Sequence, residues 1–109
     1  MNNEILRCLD RTIALEENFL PKFAAGTSQH SLLKNRIQSL HTARKLISEE
    51  KMPTVEELEF ALPRIESIIH KMSKARDKYE PESRNYKRFD PAVRAMEEVK
   101  AVILRAMEV

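Results

Sequence analysis

Apolar side chains return every three or four positions along four stretches of this chain, the spacing of a helix that buries one face. Three breaks separate them, at 24–28, 52–54 and 81–90, and these hold the single glycine, Gly26, together with Pro53 and Pro81. The first stripe, Ile5, Leu6, Leu9, Ile13, Leu20 and Phe23, predicts a helix over 3–24 whose last turn Pro21 kinks or closes. Gly26 suits a left-handed stop, and Thr27 or Ser28 an N-cap for the next helix. That second helix is expected over 29–50, on Leu33, Ile37, Leu40, Ala43 and Ile47, flanked by Leu32 and Leu46.

After the link at Met52 and Pro53, Thr54 and Glu57 have the spacing of a capping box and open the third helix. Its stripe is Leu58, Ala61, Leu62, Ile65, Ile69 and Met72, with Ile68 at the edge. Because this stripe keeps its phase across Pro63, a kink near 59–62 is expected rather than a break. The stretch 81–90 has no apolar period and reads as the longest loop. Asp90 followed by Pro91 then resembles an N-cap and first helical residue, opening a fourth helix over 91–108 on Ala92, Met96, Val99, Ile103 and Ala106, with Ala95, Val102 and Met107 alongside. Short links make neighbours antiparallel, so the expected fold is all-α: an antiparallel up-down four-helix bundle, one domain over 1–109.

Composition narrows the function classes. One glycine leaves no phosphate-binding loop or dinucleotide fingerprint. Charged residues are 33% of the chain but nearly balance, at +2, which selects no anionic partner. Cys8 is alone, so neither an intrachain disulfide nor a cysteine metal site is expected. His30, His41 and His70 lack the spacing of a metal pair, and no cofactor is expected. The N-terminus is unlike a secretory signal and no apolar run approaches membrane-spanning length, so a cytoplasmic protein without membrane attachment is expected.

Candidate site residues are those that break the pattern. Glu16 lies on the stripe of helix one and Arg36 on that of helix two, each ten residues from Gly26. Folding there sets them opposite one another, as a buried ion pair or as the polar part of a ligand pocket. A second stripe on helix one, Cys8, Thr12, Leu15 and Phe19, sits to one side of the core face and suits a homodimer or a partner helix. Phe60 and Leu104 also lie off their stripes.

Two patterns point towards nucleic acid. SRNYKRF, 83–89, interleaves Arg84, Lys87 and Arg88 with Tyr86 and Phe89, pairing cations for phosphates with rings for bases. KNRIQSLH, 34–41, resembles the R-x(4–6)-H signature of HEPN-type ribonucleases, which are small helical bundles; Arg64 and His70 have the same kind of spacing. In that family the arginine and histidine act on the RNA backbone across a dimer, so the resemblance implicates Arg36 and His41. No motif in the chain specifies a catalytic set. The function expected is therefore non-enzymatic protein–protein interaction, of a regulatory, adaptor or immunity type, with either a protein partner or a homodimer. The alternative is a nucleic-acid-linked protein, working through Arg84, Tyr86, Lys87 and Arg88 or as a weak ribonuclease.

Overall fold

Pro21 sets where the first helix ends. The computed structural model describes residues 2–108, and α1 spans Asn2–Phe19. Lacking an N–H, Pro21 cannot extend the helical ladder, and the chain tightens into a 3-10 turn over Leu20–Lys22. Phe23 then becomes extended, its N–H bonded to the Leu20 carbonyl at 3.2 Å. The helix thus stops about a turn short of the apolar stripe. Gly26 takes φ +90, the left-handed conformation expected of it, and Thr27 caps α2, Ser28–Ser48, by accepting the His30 N–H at 3.2 Å.

The Thr54–Glu57 capping box forms as the spacing predicts: the Thr54 hydroxyl accepts the Glu57 N–H at 3.1 Å, and the Glu57 carboxylate accepts the Thr54 N–H at 2.8 Å. From it α3 runs over Val55–Asp77 without interruption at Pro63. One turn of this region gains a side-chain donor, since Arg64 Nη1 donates to the Phe60 carbonyl at 2.9 Å while its guanidinium lies 3.9 Å from the Phe60 ring centroid. That explains Phe60, an aromatic residue off the stripe.

The fourth helix begins earlier than Asp90 and Pro91 suggest. α4 spans Arg84–Met107, with Ser83 as N-cap accepting the Tyr86 N–H at 3.1 Å, and Pro91 is inside it. The supposed loop over 81–90 is therefore mostly helix. Tertiary contacts outweigh the proline. Phe89 stacks on Tyr79 (ring centroids 6.1 Å apart), and Asp90, rather than capping a helix, accepts from Arg76 at 2.8 Å and pairs with Arg94 at 2.8 Å.

The four helices form an antiparallel up-down bundle around one buried cluster to which each contributes: Leu9 and Ile13 from α1, Leu40 and Ile47 from α2, Leu58 and Ile65 from α3, Met96 and Ile103 from α4. The α3–α4 packing is the most extensive, and α4 also returns against α1. On the long diagonal, by contrast, α1 and α3 bring no pair of Cα atoms within 8 Å among the described residues, and the molecule is flattened, 41 × 36 × 20 Å. No helix among the described residues is long and apolar enough to cross a membrane.

Replacing Pro91 by alanine should stabilise the protein by roughly 2 kcal/mol, the interior-helix penalty of proline less the chain entropy alanine restores. Were Pro91 a first helical residue, the change would be near neutral. Thermal melts decide between them. The Thr54 backbone N–H, chief among several causes, holds the Glu57 carboxyl below its ordinary value. Its contribution is thus present above the ordinary glutamate pKa and lost as pH falls through the depressed one. Glu57→Gln should flatten the acid limb of a melting-temperature profile as pH falls below the ordinary glutamate range.

Candidate functional site

At the end of the bundle where α1 gives way to α2, the close-packed core stops and a two-lobed groove opens. One lobe, about 240 Å³, lies between Thr12 and Leu15 of α1, Ile68, Met72 and Ala75 of α3, and Phe89 of α4. The other, about 310 Å³, lies between Phe19, Phe23 and the first turns of α2 at Gln29, Leu32, Leu33 and Arg36. Glu16 and Lys71 line both lobes and so form the ridge between them. The rim is apolar and open to solvent: Leu15 is 56% exposed, Phe19 41%, and Leu32, Phe23 and Phe89 are exposed as well.

Local structure explains this exposure. Pro21 ends α1 early and turns Phe23 away from the stripe it would have continued, while the distance between α1 and α3 keeps α3 from closing over Leu15 and Phe19. Phe19 is met by its own near neighbour, the Lys22 ammonium 4.9 Å from its ring centroid.

Glu16 and Arg36 do face the same cavity, as their equal distances from Gly26 predict, and both are buried (7% and 9% exposed). They do not pair. No ion pair involves either of them among the described residues. Arg36 instead turns to α3, where its Nη2 donates to Ser67 Oγ at 2.9 Å, and its Nε is buried without any partner. Lys71, exposed on the ridge, is likewise in no ion pair among the described residues. The groove therefore carries two cations and one carboxylate, none of them in an ion pair.

Cys8 is on the same side of α1 as Leu15 and Phe19 but not in their groove. It is half-buried against the core, with Sγ 3.9 Å from the Ala92 carbonyl, because α4 covers this part of α1 and leaves the later turns open. Burial, the largest influence, holds its thiol above the ordinary value against the hydrogen bond with Thr12 and the charge of Arg11. It stays protonated at neutral pH and is a poor nucleophile.

Helix α4 puts Arg84, Lys87 and Arg88, spaced i, i+3 and i+4, on one face and turns Tyr86 and Phe89 to the other. Arg84 is exposed; Tyr86 is half-buried with the Arg76 guanidinium 5.1 Å from its ring centroid; Lys87 lies 3.8 Å from Glu82. Arg88 joins Arg7 and Arg11 around a separate hollow beside Cys8, which also includes Glu4. Arg36 and His41 differ in setting, one buried and the other exposed, and lie about 140° apart around α2 at helical pitch. Among the described residues no three of His, Cys, Asp and Glu gather as metal ligands.

Lys71 and Phe89 line the groove and Ser67 holds its Arg36, and all three escape a reading of stripes alone. Lys71 and Ser67 flank Ile68 on the border of the α3 stripe, and Phe89 precedes Val93 by one helical turn. Extending the α4 stripe backwards through Phe89 to Tyr86 is the available signal, and Pro91 masks it. No protein-family model, characterised protein or solved structure matches this chain. The role of the groove therefore rests on its own chemistry.

A guanidinium that gives up hydration for one hydroxyl and leaves Nε unsatisfied adds little stability. Arg36→Met, which keeps the packed stem, should leave stability unchanged or raise it by about 1–3 kcal/mol, where loss of a buried ion pair would lower it by at least that amount. Urea unfolding of the two proteins measures the sign.

Proposed function

We propose that this protein is a non-enzymatic binding module that seats a helix of a partner protein in the groove between α1 and α3. The observation that carries the reading is the contiguous apolar rim of Leu15, Phe19, Phe23, Leu32 and Phe89 around two open lobes. Folding leaves these side chains in water, and burying a large apolar side chain contributes about 1.5–3 kcal/mol. An open trough flanked by two helices suits a helix that lays its apolar face across it, with anchors one or two turns apart. A side chain from such a helix would fill each lobe, and the Glu16–Lys71 ridge would pass beneath it.

The chemistry of the groove favours binding over catalysis. Its ionisable groups are two cations and a carboxylate, no histidine or cysteine among the described residues lines it, and the thiol of Cys8 lies elsewhere. Regulatory, adaptor and immunity-type roles all rest on such an interaction.

The test is selection of binders from a displayed library of amphipathic helices, against the whole chain. Selected helices should perturb the amide resonances of Leu15, Phe19, Leu32 and Phe89, and Phe19→Glu should weaken their binding by 30-fold or more (about 2 kcal/mol, the scale of one lost apolar anchor). Perturbations confined to the hollow of Arg7, Arg11 and Arg88 would reject the groove. Sedimentation of the free protein supplies a second arm: a dimer dispersed by Phe19→Glu would assign the groove to α1 of a second copy.

A further inference from the structure

The strongest unexplained group in the groove is Arg36. Arg36 is nine-tenths buried, a guanidinium offers five N–H donors, and among the described residues this one makes a single hydrogen bond, to Ser67. Its Nε is shut away without a partner. Leaving a buried donor unsatisfied is costly, and a charged one more so. Glu16, lining the same lobe, is not within ion-pair distance.

Charge gives the same result by a separate route. Arg36 and Lys71 contribute two positive charges and Glu16 one negative, with no ion pair among them. One added carboxylate brings the groove to neutrality and supplies two oxygens to which a planar guanidinium can donate at once. A hydroxyl or amide on the partner would satisfy a donor but leave the charge.

Arg36 lines the second lobe and is bonded to Ser67, one helical turn before Lys71, so the added carboxylate must come in at the ridge side of that lobe. Apolar walls lie on both sides of the Glu16–Lys71 ridge, with Leu15, Met72 and Phe89 on one side and Phe19, Phe23 and Leu32 on the other. An occupant that fills both lobes carries its acid between two apolar anchors. On a helix this means apolar residues seven apart with the acid three or four from each, all on one face.

Resting on the binding-module reading above, we propose that the groove is selective for a partner helix bearing an aspartate or glutamate between two apolar anchors, with Arg36 as the residue that takes its carboxylate and Lys71 assisting. Arg36 is thus held by Ser67 in a position to receive a charge the protein itself does not provide. The hydrophobic rim supplies attraction to many amphipathic helices; Arg36 chooses among them.

The same helix library tests this, with the position between the anchors randomised. Selection on the wild-type chain should return aspartate or glutamate there, and changing that acid to its amide should weaken binding at least 10-fold. Against Arg36→Gln the acid should lose its advantage, and the amide peptide should bind both proteins alike. Lys71→Gln, an exposed change that leaves the fold intact, should give a smaller loss in the same direction, and raising the salt concentration should narrow the acid–amide gap. Helices that bind at the groove with no acid preference would overturn the role of Arg36 while sparing the groove. A preference that persists undiminished in Arg36→Gln would do the same. Absence of any groove binder would overturn both readings together.

Discussion

A guanidinium buried between helices needs acceptors, and the one at Arg36 finds a single serine hydroxyl. Around that shortage the open end of the bundle is arranged. Closing the core over Arg36 with aliphatic side chains would leave a charge without water and without a counterion, a state that costs several kcal/mol. The core instead stops at this level. Glu16 and Arg36 replace the leucines that continue the stripes on either side, and the space between α1 and α3 stays accessible. Cavity, exposed aromatics and unpaired charge are one arrangement rather than three separate irregularities.

Away from that end, local and tertiary preferences agree. The capping box at Thr54, the left-handed Gly26 and the Thr27 cap all sit where residue chemistry places them, because each is satisfied within one helical turn. The stripes are legible for the same reason: a helix that buries one face must repeat its apolar residues at its own pitch. Even the opposition of Glu16 and Arg36 comes from counting residues outward from Gly26.

What the sequence hides is decided between helices. Asp90 and Pro91 form as good a local start signal as Ser83 and Tyr86, and only the partners of Asp90, Arg76 and Arg94, decide between them. Whether Arg36 turns towards Glu16 or Ser67 depends on how α3 packs against α2, which no stripe records. Cys8 and Leu15 share a helical face, yet one is under α4 and the other in solvent. A helical wheel assigns direction around an axis but not how far along it a neighbour reaches.

Pro91 divides α4 into two parts that differ in what holds them. Without its N–H the carbonyl of Lys87 loses its helical partner, so the backbone ladder is weakest at the junction. Beyond it, Val93, Met96 and Val99 are anchored in the interior; before it, two turns depend on the Ser83 cap, the Tyr79–Phe89 stack and the Asp90 carboxylate. With fewer buried anchors than the rest of α4, these are the turns where local opening should cost least. Since Phe89 forms one wall of the groove, that wall stands on the more weakly held part of α4, while the other walls belong to the packed bundle. The proline thus leaves the turns that carry this wall less firmly tied to the interior than the rest of α4.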